Sequence, residues 1–389
     1  MIFGVDKMKN EYPFVFVHGM FGWGSAIGID KISPYWGSTT GNLMRYLTGC
    51  GYECYAASVG PVSSAWDNAC ELYAQLLGTK VDYGKAHSQK NNHERYGRRY
   101  SKPLVDGFGK RKIHLIGHSH SGQVIRLLAH LLTYGDEAEK QATGESEISG
   151  LFTGGKEDLI ASVTTLCTPN NGTTLYDIAE NANIIDPLGK ATDFAMCVMG
   201  RTPIHGRFVD YQLEQYGLTP LRGEKKADKI LSAIDRISSG NDHILTDLSF
   251  RGASELNKKI EISKNITYFC YTASGSVGEK YRPKNIRFQL LKPISLLIGR
   301  HRLPEDTCGI KFDDTWREND GLVNTVSGKN PFDEPSKEYD GNIETGIWNI
   351  MPVIIGDHGG VAGLFANREN LRSFYSELAE ILVKTEKYK

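Results

Sequence analysis

Lys112-Ile113-His114-Leu115-Ile116-Gly117-His118-Ser119-His120-Ser121-Gly122 is the stretch that decides the fold. Its apolar first half reads as a strand, and Gln123 to Thr133 behind it carries apolar residues at helical spacing. A serine on a tight strand-to-helix turn, with small residues two places either side, is the pattern of a nucleophile elbow. Such a turn lifts the hydroxyl above the sheet. It also sets the next residue's N–H at a helix N-terminus, where negative charge is favoured. The usual spacing is G-x-S-x-G. Here Ser121 holds the second glycine position and Gly122 follows one place later. Serine is small, so the turn is expected to survive with some crowding. The plainer reading, a serine-rich turn, loses ground once the strand, the helix and a downstream histidine are taken together.

Further strands are expected on both sides. Pro13 to Val17 is a short apolar run closed by His18-Gly19, and Tyr52 to Ser58 is a second. Ile160 to Leu166 ends at Thr168-Pro169, Ile266 to Thr272 follows, and Met351 to Ile355 is the last candidate. Helical or loop segments separate these runs. That alternation predicts an α/β fold with a central, mostly parallel sheet and helices on both faces. A length of 389 residues would ordinarily suggest two or three domains of roughly 150 residues each. One domain over residues 1–389, enlarged by insertions, is expected here. Tyr176 to Gly240 and Glu279 to Pro304 are too long for ordinary connections. The first holds an apolar segment around Phe194, Met196 and Met199; the second mixes Lys280, Arg282, Lys284, Arg287, Lys292 and Arg300 with Ile294, Leu296, Leu297 and Ile298.

Composition excludes several classes. With 45 basic and 46 acidic residues there is no basic excess to bind nucleic acid. No run approaches the roughly 18 apolar residues that span a bilayer. Met1 to Tyr12 is short and charged and does not read as a signal peptide, which leaves a cytoplasmic protein or a processed chain. The seven cysteines are scattered without a C-x-x-C pair, so neither a disulfide framework nor a thiolate zinc site is expected.

A serine nucleophile needs a base, and the base an orienting carboxylate. On this kind of turn the chain order is Ser, then Asp or Glu, then His. Five histidines follow the turn: His130, His205, His243, His301 and His358. His130 lies inside the following helix, His205 and His243 precede the last strands, and His301 sits in the basic insertion. His358 follows the last strand in Gly356-Asp357-His358-Gly359-Gly360 and is the best base. Asp320, in Glu318-Asn319-Asp320-Gly321-Leu322-Val323, leads for the acid, with Asp313, Asp314 and Asp357 competing. Asp-Gly is also an ordinary turn signal. The N–H groups of Met20 and His120 are expected to form the oxyanion hole. His87 and His93 fall within the histidine spacing of zinc sites, although a solvated loop would show the same pair.

The chain resembles the thermoalkalophilic lipases and esterases of Gram-positive bacteria, α/β-hydrolases that carry a structural zinc. The resemblance rests on Val17-His18-Gly19-Met20-Phe21-Gly22-Trp23-Gly24, Ser63-Ser64-Ala65-Trp66-Asp67, Val81-Asp82-Tyr83-Gly84-Lys85-Ala86-His87, Ser162-Val163-Thr164-Thr165, Asn319-Asp320-Gly321-Leu322-Val323-Asn324-Thr325-Val326 and Asp357-His358. It implies a triad of Ser119, Asp320 and His358, and a zinc held by Asp67, His87, His93 and Asp242 in an insertion over residues 79–100. It implies a lid within residues 174–240, secretion, and a lipid or ester substrate met at an interface. The family often also holds calcium just after the catalytic histidine. Gly359, Gly360, Phe365 and Ala366 occupy that region here, so the calcium site is expected to be lost. His120 and Ser121 stand where the family commonly has glutamine and glycine. The resemblance implies hydrolysis of carboxylic esters through an acyl-enzyme. Acyl transfer, thioester cleavage or polyester hydrolysis would use the same triad, and a non-catalytic lipid-binding protein would keep only the fold.

Overall fold

The computed structural model describes residues 8–185, 210, 212–217, 236–237, 240–277, 282–283, 291–302 and 305–387. Seven strands form the central sheet: β1 (Phe14–Val17), β2 (Cys54–Ala57), β3 (Ile113–His118), β4 (Ile160–Leu166), β5 (Thr267–Tyr271), β6 (Ser336–Glu338) and β7 (Trp348–Ile350). Their order is β6-β7-β5-β4-β3-β1-β2, and every neighbouring pair is parallel. A parallel sheet needs cover on both faces, which is why β1 is apolar throughout and every residue of β1 and β3, His114 and His118 included, is buried.

Residue parity along β1 divides the core. Val15 and Val17 pack with Leu115 and Val163 against α2 (Ala65–Leu77) and α3 (Ser121–Tyr134). Phe14 and Phe16 face the other way with Ile116 and Phe269, against α1 (Leu43–Gly49) and the long C-terminal helix Arg368–Thr385. The Ser64 hydroxyl caps α2 by accepting from Asp67 N–H, a bond that contributes about 1 kcal/mol in such caps. Between α2 and β3 an antiparallel hairpin, Lys80–Asp82 with Tyr96–Arg99, encloses a short helix, Lys85–Lys90. Two of the later helices bear on the sites below: α4 (Ile244–Leu248) and α5 (Lys292–Arg300). Among the described residues no helix is long and apolar enough to cross a membrane.

The expected strands are present, with one displacement. Met351 to Ile355 does not continue the sheet; β7 lies just before it. Pro352 has no N–H to donate and interrupts the ladder, and Ile354–Ile355 pairs instead with Ala273–Ser274 in a separate two-stranded ribbon. Strand β6 escaped the sequence reading because Ser-Lys-Glu on an exposed edge has no apolar period to detect. Phe194, Met196 and Met199 of the expected lid lie outside the described residues. In the basic insertion, α5 covers Ile294, Leu296, Leu297 and Ile298; Lys280, Lys284 and Arg287 lie outside the described residues.

Candidate active site and metal centre

Strand β3 delivers Ser119 to the C-terminal edge of the sheet, and α3 begins two residues later. Ser119 has φ of 59°, a left-handed conformation that a non-glycine residue holds only where its surroundings enforce it. Its N–H donates to the Leu166 carbonyl at the end of β4 (2.8 Å), and its carbonyl accepts from Gly122 N–H (3.0 Å). A side chain at Gly122 would meet Thr168 Oγ1 at 1.9 Å, so the close approach that demands glycine has moved one place along the helix. Ser121 is fully buried, and its hydroxyl donates to the His18 carbonyl at the end of β1. The crowding expected of this serine has become a bond between the elbow and the strand leading to Met20.

His358 opens a short helix, His358–Val361, just after Ile354–Ile355. Its Nδ1 lies 2.8 Å from Asp320 Oδ2, and its backbone N–H donates to the Asp320 carbonyl at 2.9 Å. The other carboxylate oxygen, Oδ1, accepts from the N–H groups of Leu322 (2.9 Å) and Val323 (2.8 Å). Asp320 is thereby fixed on both oxygens, and a carboxylate partner assigns the proton to Nδ1, leaving His358 Nε2 as the acceptor. The competing carboxylates do other work. Asp357 caps the turn at Gly360 N–H, Asp313 caps Thr315, and Asp314 pairs with Arg317. Ser119 and His358 line one cavity of about 320 Å³ with Met20, Phe21, Leu322 and Phe365. Its walls are mainly apolar, and Phe21 and Phe365 stand exposed at its edge. Among the described residues no acceptor is bonded to the N–H of Met20 or His120.

Four further side chains enter this constellation without having been anticipated. His118 is buried beneath His358, their ring centroids 4.7 Å apart. Burial pushes His118 far below the usual histidine range, and its neighbour His358 adds to the effect. Tyr35 Oη lies 2.7 Å from His118 Nδ1 and accepts from Gly19 N–H at 3.0 Å. The thiol of Cys167 (φ 52°) lies within 4.8 Å of the Asp320 and His358 ligand atoms. Burial raises that thiol well above its usual range, with the Asp320 charge adding to it, so it stays neutral. Asp247, on α4, lies 2.9 Å from His120 Nε2. No local pattern marks these residues; their partners are remote in sequence.

The second constellation is the group Asp67, His87, His93 and Asp242, whose ligand atoms all lie within 4.8 Å of one another. Asp67 comes from the first turn of α2, the histidines from the segment between the two strands of the Lys80–Asp82/Tyr96–Arg99 hairpin, and Asp242 from the approach to α4. His87 Nε2 lies 2.9 Å from Asp242 Oδ2 and 3.4 Å from Asp67 Oδ1. His93 Nδ1 meets the Glu94 carbonyl at 2.9 Å, which places the proton there and leaves Nε2 facing the group. Both His93 Nε2 and Asp67 Oδ1 are buried without a hydrogen-bond partner. Gln215 Nε2 donates to the other Asp67 oxygen at 3.0 Å, and Trp66 stacks on His87 at 4.9 Å. Burial disfavours a charged His87, yet the Asp242 and Asp67 carboxylates lift it to about 9. Two buried carboxylates this close call for a positive charge, and the orphaned atoms converge where a cation would sit. The residues fit a metal ion.

Residues 10–389 match the model of the family described as "Lipase-like, C-terminal domain". The chain belongs to this family. Among its relatives, the lipase of Staphylococcus hyicus is 36% identical over 98% of this chain and 59% of that protein. Lipase 1 of Staphylococcus aureus strain MRSA252 is 34% identical over 98% of the chain and 56% of its own length. The chain therefore spans less than two thirds of either lipase. Among solved structures, that of the S. hyicus lipase aligns with a TM-score of 0.84 at 33% identity, covering 99% of this chain and 98% of that one. EstA from Clostridium botulinum aligns with a TM-score of 0.81 at 36% identity, over 96% and 87%. The expected α/β-hydrolase architecture of this lipase family is the one observed.

Proposed function

We propose that the chain hydrolyses carboxylic esters with apolar acyl groups, Ser119 acting as nucleophile. The observation that carries this reading is the buried Asp320–His358 pair facing the same apolar cavity as a serine held at positive φ. His358 Nε2 takes the Ser119 proton as Oγ attacks the ester carbonyl, and Asp320 stabilises the imidazolium. The N–H groups of Met20 and His120 receive the developing oxyanion, each such donor contributing about 3 kcal/mol to the transition state. Protonated His358 then delivers its proton to the leaving alcohol, and water repeats the sequence on the acyl-enzyme. Ser119→Ala should leave under about a thousandth of the p-nitrophenyl ester hydrolysis, and a fluorophosphonate should label Ser119 alone. Retained activity or an unlabelled Ser119 would remove the assignment. Activity rising sharply above the ester's solubility limit would mark a lipase, and a smooth response an esterase.

The metal at Asp67, His87, His93 and Asp242 is proposed to be zinc. Four protein ligands leave no open position, so it would pin the 79–100 insertion to α2 and to the approach to α4. Beside the catalytic histidine, Gly359, Gly360, Phe365 and Ala366 offer no carboxylate for calcium. The loop is clasped by protein groups: Gly37 N–H donates to the Ala362 carbonyl at 2.8 Å, and Phe365 N–H to Thr39 Oγ1 at 2.7 Å. Ester hydrolysis should accordingly be the same with calcium added or with a calcium-selective chelator present.

A further inference from the structure

His120 supplies a proposed oxyanion N–H, yet its side chain turns away from the cavity. The ring is buried, and Nε2 meets Asp247 Oδ2 at 2.9 Å. That same oxygen accepts from Ala65 N–H at 2.7 Å, at the first residue of α2. The Asp247 carbonyl accepts from Gln123 Nε2 at 3.0 Å, in the first turn of α3. One residue of α4 thus joins the elbow to the start of the helix that bears Asp67. Helix α4 itself begins one residue after His243, which caps it and adjoins Asp242. Two of the four metal-facing residues therefore lie close in sequence to Asp247 or to its bonded partner Ala65: Asp242 five residues before Asp247, and Asp67 two residues after Ala65.

We propose that Asp247 and the His120 side chain are positioning residues that couple the metal centre to the oxyanion donor. The inference rests on the ester-hydrolase and metal readings above. A cation held by Asp67 and Asp242 draws together the two segments that Asp247 bridges. Without it, two buried carboxylates repel each other, α4 and the start of α2 separate, and the shared oxygen Oδ2 cannot satisfy both donors. The His120 ring then loses its anchor and its N–H loses its aim. An oxyanion donor acts on the transition state more than on bound substrate, so the loss falls on kcat more than on KM.

Coupling between two sites is reciprocal, so filling the oxyanion hole must tighten the metal. Diethyl p-nitrophenyl phosphate reacts with Ser119 Oγ to form an O–P bond and expel p-nitrophenolate, leaving a phosphoryl oxygen in the oxyanion position. Zinc affinity is then read by competition with a chelating dye, for labelled and unlabelled full-length protein. Labelling should tighten zinc at least about fivefold, the low end of ordinary coupling. His120→Ala should abolish that difference while still taking up label and zinc. His120→Gln, which keeps a side-chain N–H of similar reach, should restore most of it. Equal affinity before and after labelling in the parent protein overturns the coupling, and so does equal tightening in His120→Ala. Failure of Ser119 to label, or of zinc to bind at all, overturns the underlying readings and the coupling with them, and the label count and metal content tell these cases apart.

Discussion

His118 Nε2 lies 3.0 Å from the carbonyl oxygen of His358, and this bond joins the residue before the proposed nucleophile to the backbone of the proposed base. A carbonyl only accepts, so the His118 proton is on Nε2, and Nδ1 must accept from Tyr35 Oη. Tyr35 in turn receives Gly19 N–H, one residue before Met20. One run of hydrogen bonds therefore spans from the strand end before Met20, the proposed oxyanion donor, to the backbone of His358. His118 can fill this place only when neutral, and burial holds it so.

Tyr35→Phe removes the link at its centre and little volume. Gly19 N–H and His118 Nδ1 both lose a partner in a buried setting, a loss that costs about 1–3 kcal/mol for each group left unsatisfied. Stability should fall by an amount in that range, and kcat should fall about tenfold with KM little changed, since the proposed base and the proposed oxyanion donor lose their common support. Chemical unfolding and steady-state kinetics on one soluble ester measure both. A variant with unchanged kcat would show that the run of bonds does not hold the base.

Ser121→Gly restores the residue usual at that place in an elbow. It also deletes the hydroxyl that donates to the His18 carbonyl, and it loosens the unfolded chain. Since Gly122 already provides the close approach to Thr168, glycine at 121 relieves nothing. The variant should be less stable by about 1–2 kcal/mol. A rise in melting temperature would show that the serine is a strain and not a tether.

The pH dependence of stability should carry the signature of His18. Its Nε2 accepts from Val59 N–H at 3.1 Å, Nδ1 meets the Gly19 carbonyl at 2.9 Å, and burial lowers its pKa from 6.5 to about 4. Between those values the unfolded chain binds a proton that the folded protein refuses. Folding stability must therefore fall as pH drops from about 6.5 to about 4, by about 3 kcal/mol for this group at 1.36 kcal/mol per unit. His114 and His118 are depressed in the same direction, also by burial first. Urea unfolding at several pH values should show this slope, and His18→Asn should flatten it. A variant as steep as the parent would assign the slope to other groups.

The readable part of this protein was what local chemistry writes into consecutive residues. The turn at Ser119, and His358 and Asp320 as the leading candidates for base and acid, follow from spacing and chain order, and the structure brings His358 and Asp320 into contact. The strands follow from apolar runs, except where Pro352 breaks one and where the edge strand β6 is polar. Bonds between distant segments were not legible: Tyr35 and His118 are 83 residues apart, and His118 and His358 are 240 apart. His87 and His93 were visible as a pair, but Asp67 and Asp242 came from resemblance alone, because only the fold brings α2 and the approach to α4 to the same point. His120 and Ser121 looked like defects of the elbow. Each turned out to be a tether, to Asp247 and to His18, and neither partner could be inferred without the sheet in place.

The metal centre gives the last prediction. Purified protein should contain one zinc per chain, and His93→Ala should abolish that stoichiometry because His93 Nε2 faces the group with no other partner. A ligand bound only by the folded state, at 100 times its Kd, adds about 2.7 kcal/mol. Prolonged treatment with a strong chelator should therefore lower the melting temperature by several degrees, and added zinc should restore it. The parent's chelator-induced shift should be missing from His93→Ala, which starts at the lower temperature. Asp67→Asn should fall between the two, since an amide oxygen can still face the cation but leaves it short of one negative charge. If the parent holds no metal and a chelator leaves its melting temperature unchanged, the four residues are a buried ion-pair cluster and the insertion is held by the Trp66–His87 stack and its hydrogen bonds.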